Sequence, residues 1–191
     1  MESALIVSCT EKSTTFFTEM LYAASVNQIA ILQSCGEARR LLLLLERDFD
    51  LVIVNAPLRD ESGESLCRHI ASKSASQVIL VVKSEHFDAV SAVCEEAGIL
   101  TIAKPVNKTV FWSALSLAKS AGNRIKRIQA ENAQLKRKID DIRIVDRAKW
   151  ILVSCMNMRE QEAHRYIEKQ AMDMRSTKRA IAERILKTYE N

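Results

Sequence analysis

The chain has 191 residues, 48% of them hydrophobic and 27% charged, which is enough apolar content for the packed core of one domain or two small ones. No apolar run approaches the roughly 20 residues that a membrane span requires, and no secretory signal sequence opens the chain. The five cysteines are odd in number and never spaced as CxxC, which favours reduced thiols over a disulfide framework or a zinc site. We therefore expect a cytoplasmic protein without a membrane segment.

The net charge of +4 is unevenly distributed along the chain. Residues 1–118 carry 10 basic and 14 acidic side chains, whereas residues 119–191 carry 18 basic and 10 acidic ones. An acidic amino-terminal part followed by a basic carboxyl-terminal part is typical of a regulator whose carboxyl-terminal part contacts a polyanion.

Short apolar runs alternate with segments of helical spacing over the first 120 residues. The predicted strands are residues 4–7, 29–32, 50–54, 78–82 and 100–103. The predicted helices are residues 14–24, 37–46, a segment around 66–70, 88–97 and 110–120. Five strands alternating with five helices predict a parallel sheet covered on both faces, with the flavodoxin-like strand order.

From residue 125 the apolar residues follow alternating spacings of three and four, which is the seam of a coiled coil. The predicted dimer seam consists of Ile125, Ile128, Asn132, Leu135, Ile139 and Ile142. A lone Asn at an a position favours a parallel two-stranded arrangement at some cost in stability. We predict a dimerisation helix over residues 121–146; the alternative is one amphipathic helix that packs on its own domain.

A different apolar pattern begins after residue 143 and predicts three short helices. The first ends near Asn157, and Ser176 is the expected N-cap of the third. The predicted core positions are Ile144, Ala148, Ile151, Cys155, Ala163, Ile167, Ala171, Met174, Ile181, Ile185 and Tyr189. The chain is thus predicted to be an α/β domain followed by a small all-α domain.

Residues 50–63 (DLVIVNAPLRDESG) and the pair Lys104-Pro105 resemble the third strand and the lysine-proline pair of response-regulator receiver domains. The resemblance covers about residues 1–120. A receiver needs an aspartate nucleophile after its third strand and acidic residues that hold Mg²⁺.

This chain departs from that pattern at nearly every chemical position. Asn55 stands at the phosphoacceptor position, Ser8 and Cys9 replace the acidic pair, and Val82 stands at the hydroxyl position, with Ser84 as a slipped alternative. Only Lys104 remains, and loop acids such as Asp60 and Glu11 are usually just solvated, so we predict a pseudo-receiver domain. It would have no catalytic residues, metal or cofactor, and it would bind a regulatory protein or ligand.

Three segments of the carboxyl-terminal part resemble, in order and spacing, the ANTAR domain of transcription antitermination regulators. They are residues 148–152 (AKWIL), 162–166 (EAHRY) and 170–175 (QAMDMR), and the resemblance covers about residues 136–190. Trp150 stands where that family commonly has glycine. The resemblance implies a three-helix module, predicted here as residues 136–191, that binds RNA hairpins in leader transcripts.

RNA hairpin loops are bound by cations that contact the phosphates and by planar groups that stack on splayed bases. The predicted RNA-binding residues are Lys149, Arg165, Tyr166, Lys169, Met172, Arg175, Lys178 and Arg179. Together these features predict a dimeric, RNA-binding antitermination regulator of two-component type, and not an enzyme. The alternatives are a protein-interaction adaptor and a DNA-binding response regulator.

Overall fold

The computed structural model describes residues 1–44 and 48–189. Its strands are β1 (Ser3–Val7), β2 (Gln28–Leu32), β3 (Leu51–Asn55), β4 (Gln77–Lys83) and β5 (Leu100–Lys104). Its helices are α1 (Glu11–Ala23), α2 (Cys35–Leu44), α3 (Glu64–Lys73), α4 (Phe87–Glu96), α5 (Lys108–Met156), α6 (Glu160–Asp173) and α7 (Lys178–Tyr189). A short 3₁₀ turn, Ser84–His86, precedes α4. The predicted end of the second helix, residues 45–46, lies outside the described residues.

All neighbouring strands pair in parallel, in the order β2-β1-β3-β4-β5. This order is that of the flavodoxin-like fold, so the predicted fold class is confirmed. The central strands β1, β3 and β4 are continuous apolar runs because helices cover both of their faces. The carboxyl ends of parallel strands lie at one edge of the sheet, and the candidate site lies in the loops at this edge.

The sheet carries one apolar cluster on each face. On one face, β-strand side chains pack with α2, α3 and α4, including the fully buried Cys35, Leu66 and Cys94. On the other face they pack with α1 and α5, where the rings of Phe16, Phe17 and Phe111 have centroids 5.1–5.8 Å apart. Each cluster is a two-layer contact of the kind that stabilises α/β domains.

Helix α5 is a single helix of 49 residues, so the predicted fifth helix and coiled-coil helix are continuous. The chain divides within α5 into two compact units, Met1–Arg127 and Ile128–Asn191. In the first unit, α5 buries Phe111, Ala114, Leu115 and Ala118 against the sheet. Residues 128–140 are all exposed in the single chain.

The second unit is a small helical domain formed by the end of α5 together with α6 and α7. Its buried core consists of Ala148, Leu152, Ala163, Ile167, Ala171, Ile181, Ala182 and Ile185. Three predicted core positions were wrong: Cys155, Met174 and Tyr189 are exposed, since each lies at or just beyond the end of its helix. Thr177 rather than Ser176 caps α7, because its hydroxyl accepts the Ala180 N–H at 3.2 Å. Within the described parts of the chain, no helix is long and apolar enough to cross a membrane.

Candidate functional site

The predicted phosphoacceptor region lies at the carboxyl edge of the sheet, where Ser8 follows β1 and Asn55 ends β3. Both residues are only 2% exposed. The Asn55 side-chain amide donates a hydrogen bond to the Ser8 hydroxyl at 3.0 Å. A buried polar pair of this kind is stable because each group satisfies the other. The two residues therefore form a neutral contact where a receiver carries charge.

Cys9 and Lys104 complete this region. The Cys9 thiol approaches the Pro57 carbonyl oxygen at 3.6 Å, and the Lys104 ammonium donates to the Ala56 carbonyl oxygen. Burial lowers the pKa of Lys104, the nearby Cys9 thiol opposes that effect, and the Lys83 charge adds to it. The structure thus brings Ser8, Cys9, Asn55 and Lys104 together, and Lys104 binds a backbone carbonyl of the loop that follows β3.

The residues of this pocket do not fit a receiver's metal ion. Mg²⁺ is usually bound through one or two carboxylates, whereas Ser8, Cys9 and Asn55 offer a hydroxyl, a thiol and an amide. Among the described residues, the carboxylates of Asp60 and Glu61 lie close to each other and to the Cys35 thiol. Asp60 instead accepts the N–H groups of Cys35 and Gly36 at the start of α2, at 3.0 and 2.9 Å. Asp60 therefore caps the start of α2.

The hydroxyl position lacks a hydroxyl that faces the pocket. Val82 is 5% exposed, and the alternative, Ser84, donates its hydroxyl to the Lys104 carbonyl oxygen. Val82 instead lines a cavity of about 320 Å³ beside the pocket, with an apolar wall that includes Pro57, Leu80 and Val90. This cavity is a place where a small ligand or a side chain of a partner would fit.

In the helical unit, three of the predicted RNA-binding residues line one cavity of about 450 Å³: Lys149, Lys178 and Arg179. Each also forms ion pairs with acids of the same unit. Lys149 pairs with Asp146 at 2.7 Å, and the Asp146 and Glu160 contacts raise its pKa in spite of partial burial.

Lys178 pairs with Glu168, whereas Arg179 pairs with Asp141 at 2.7 Å and with Glu183 at 2.8 Å. Exposed pairs of this kind are worth only about 0–1 kcal/mol, so a phosphate can replace the acid at little cost. The pairs with Asp146 and Glu183 have the i,i+3 and i,i+4 spacings that a helical sequence indicates. The pairs with Glu168 and Asp141 join different helices and have no sequence signal.

Arg165, Lys169 and Arg175 are exposed and form no ion pair with any residue that the structure describes. Arg175 has a φ of 47°, in the left-handed region that glycine prefers. It lies two residues after the end of α6, and the Ser176 N–H donates a hydrogen bond to the Ala171 carbonyl oxygen at 2.9 Å. A long cationic side chain thus occupies a strained position that a smaller residue would suit better.

The two predicted stacking residues differ in exposure. Tyr166 is 37% exposed and Met172 is 78% exposed. Neither lines the cavity that Lys149, Lys178 and Arg179 share. The assignment of these eight residues to RNA contact stays a prediction.

The predicted dimer seam is open to solvent in the single chain. Its apolar members are between 38% and 61% exposed: Ile125, Ile128, Leu135, Ile139 and Ile142. Asn132 is exposed among them. A helix with an unburied apolar stripe gains most of its stability from a partner surface.

Trp150 is a surface residue that sequence reasoning did not assign to a site. It is 72% exposed and lines a cavity of about 360 Å³ with Asp146, Lys149, Val153 and Glu160. Its exposure could have been predicted from the helical spacing, which places Trp150 off the helix face of Ala148 and Leu152.

Known proteins resemble both the first unit and the helical unit of this chain. The profile of the ANTAR domain matches residues 133–186. The transcriptional regulatory protein PdtaR of Mycobacterium tuberculosis (strain H37Rv) is 28% identical over 139 residues, which cover 73% of this chain and 68% of PdtaR.

Two solved receiver domains share the fold of the first unit. The signal receiver domain of an HD domain-containing protein from Pseudomonas fluorescens Pf-5 is 20% identical, with a TM-score of 0.57, over 66% of this chain and 92% of that one. The receiver domain of a signal transduction histidine kinase from Syntrophus aciditrophicus is 25% identical, with a TM-score of 0.54, over 66% of this chain and 94% of that one. The matched families are regulatory.

Proposed function

The chain is an ANTAR-domain response regulator with a receiver-like domain, and from that premise we propose that it binds hairpins in leader RNA as a dimer and prevents transcription termination. The observation that carries the proposal is the combination of a receiver pocket without nucleophile and a basic ANTAR-type helical unit on one chain. Control would come from a regulatory protein or ligand on the receiver-like domain, because Asn55 cannot form an acyl phosphate.

The charges of the helical unit support RNA as the polyanion. Arg165, Lys169 and Arg175 are exposed cations without acidic partners among the described residues, and the cavity cations Lys149 and Lys178 have exchangeable ones. Lys and Arg contacts to phosphate release counterions, so binding should weaken steeply as salt increases. The nearby exposed Tyr and Met side chains offer stacking and apolar contact to splayed loop bases.

The binding test uses the full chain and an RNA with two tandem hairpins from the leader upstream of its own gene, at several salt concentrations. We expect salt-sensitive binding, and Lys169→Ala should reduce the slope of log K against log salt by about 1. Lys12→Ala is the matched control, since it removes an exposed lysine from the receiver-like unit. Equal binding of a DNA duplex, or none to either nucleic acid by a demonstrated dimer, would contradict the proposal.

The dimer would form through a parallel coiled coil on the exposed seam of α5. Two helical units on one coiled coil raise the effective concentration of the second unit once the first has bound a hairpin. We expect Leu135→Asp to produce monomers in light scattering and to abolish the advantage of tandem over single hairpins. Gln134→Asp, which places the same charge beside the seam, should leave the dimer intact; dimers in both variants would refute the seam.

A further inference from the structure

We propose that Trp150 is a stacking platform that receives one unpaired base of the bound RNA. The inference rests on the proposed function and adds a base-binding subsite to it. Its evidence is the exposure of the indole ring, the chemistry of the groups around it and its continuity with a cationic cavity.

The indole ring is not needed by the core of the helical unit. Its helix neighbours Ala148 and Leu152 are 0% and 1% exposed and supply the α5 side of that core, whereas Trp150 is 72% exposed. Tryptophan is among the largest apolar side chains, and most of its surface here meets water. Tryptophan is enriched at binding interfaces.

The seam of α5 does not account for Trp150. The heptad positions that follow Ile142 are Asp146 and Lys149, which pair with each other at 2.7 Å. Charged residues at consecutive a and d positions end the apolar contact of a coiled coil. The ring therefore lies beyond the seam, and a second copy of the chain is not its expected occupant.

The groups around Trp150 offer an apolar surface and hydrogen-bond acceptors to a base. The cavity of about 360 Å³ beside it is also lined by Val153, by the carboxylates of Asp146 and Glu160, and by Lys149, which pairs with both carboxylates. Carboxylates repel phosphate but accept hydrogen bonds from the amino and ring N–H groups of bases. A flat apolar ring with nearby acceptors thus matches the face and the edge of an unpaired base.

Phosphates have their own place next to this cavity. Asp146 and Lys149 also line the cavity of about 450 Å³ that contains His164, Lys178 and Arg179. Aromatic platforms beside a cationic groove are the arrangement by which proteins hold single-stranded nucleic acid. A base on Trp150 would leave its backbone beside Lys149 and the cations of the larger cavity.

The experiment compares two RNA hairpins with the same stem, one with a hexanucleotide loop and one with an abasic loop of the same length. Stacking on an aromatic side chain predicts that Trp150→Ala weakens binding of the first hairpin by about 5- to 150-fold and leaves the abasic hairpin unaffected. Trp150→Phe should keep most of the affinity. The salt slope should not change, because no phosphate contact is removed.

A spectroscopic readout accompanies the affinities. In the full chain with Trp112→Phe, Trp150 is the remaining tryptophan, and the hexanucleotide loop should quench its fluorescence more than the abasic loop does. Equal losses on both hairpins, no loss on either, or monomers in Trp150→Ala would overturn the subsite while salt-dependent RNA binding by the parent protein still supports the proposed function. Absence of RNA binding by the parent protein would overturn both.

Discussion

Asp50 offers a stability prediction that can be calculated from the structure. Its carboxylate accepts the N–H groups of Glu2 and Ser3 at the start of β1, and the Lys126 ammonium of α5 at 2.6 Å. The residue thus ties the beginning of β3 to β1 and to α5 within the receiver-like unit. We expect Asp50→Asn to loosen these three connections together.

The magnitude follows from the pKa of Asp50. Burial raises this pKa, but the hydrogen bonds from Lys126, Glu2 and Ser3 outweigh burial and lower it from 3.8 to about 2. That difference corresponds to about 2.4 kcal/mol, and solvent around the exposed Lys126 reduces the expected stabilisation to about 1–2 kcal/mol. Because the folded-state pKa is the lower one, the stabilisation is complete above pH 3.8 and is lost as the pH falls through about 2.

The assay is denaturant unfolding of the parent and Asp50→Asn at about pH 7 and about pH 3. We expect the difference in free energy of unfolding to be about 1–2 kcal/mol at the higher pH and clearly smaller at the lower one. Asp48→Asn removes the same charge from an exposed neighbour and should change stability little at either pH. A difference that is the same at both pH values would refute the electrostatic reasoning.

Three further predictions concern backbone strain and the receiver pocket. Gly63→Ala should destabilise the receiver-like unit by about 2–4 kcal/mol in denaturant unfolding, because its φ is 89° and a Cβ would lie 2.7 Å from a buried valine methyl of β3. The control Gly98→Ala has a φ of 71° but open space around the new Cβ, and it should cost only about 1 kcal/mol. Equal losses of stability in the two variants would exclude the clash. Asn55→Asp should gain no phosphoryl group from acetyl phosphate by intact mass, since Ser8 and Cys9 supply no metal-binding carboxylate, and a stable adduct would contradict this. Arg175→Gly should stabilise the helical unit by up to about 1 kcal/mol while weakening RNA binding, and unchanged affinity would remove Arg175 from the interface.

The strands were predictable because buried parallel strands leave a plain signal. Residues 51–54 and 78–82 are uninterrupted apolar runs, and the structure places β3 and β4 there, at the centre of the sheet. The continuity of α5 was harder to predict, since Gly122 and Asn123 are weak helix formers. Gly122 packs closely on Gln77, where an added Cβ would be 3.3 Å from the Gln77 side chain, and this contact is not visible in the sequence.

The pocket residues could be predicted because each lies at or just after the carboxyl end of a strand, and these strand ends converge by topology. Their partners could not: the Ala56 carbonyl that binds Lys104 is a backbone group with no sequence signal. In the helical unit, the cations were identifiable by type, and the pair between Arg179 and Glu183 has the i,i+4 spacing of one helix. The remaining partners, Glu168 and Asp141, come from other helices. Helical spacing gives the face of a residue and says nothing about which neighbouring helix supplies its counter-charge.

The amide at Asn55 also has a consequence for timing. In a receiver, the acyl phosphate hydrolyses at its own rate, and that rate limits how long the active state persists. An amide hydrogen-bonded to Ser8 contains no bond of this kind to break. The duration of any active state in this protein would then depend on the residence time of the bound partner, and its level on the partner's concentration relative to the dissociation constant. The activity of such a regulator would follow the concentration of its partner, with no covalent modification that persists after the partner has dissociated.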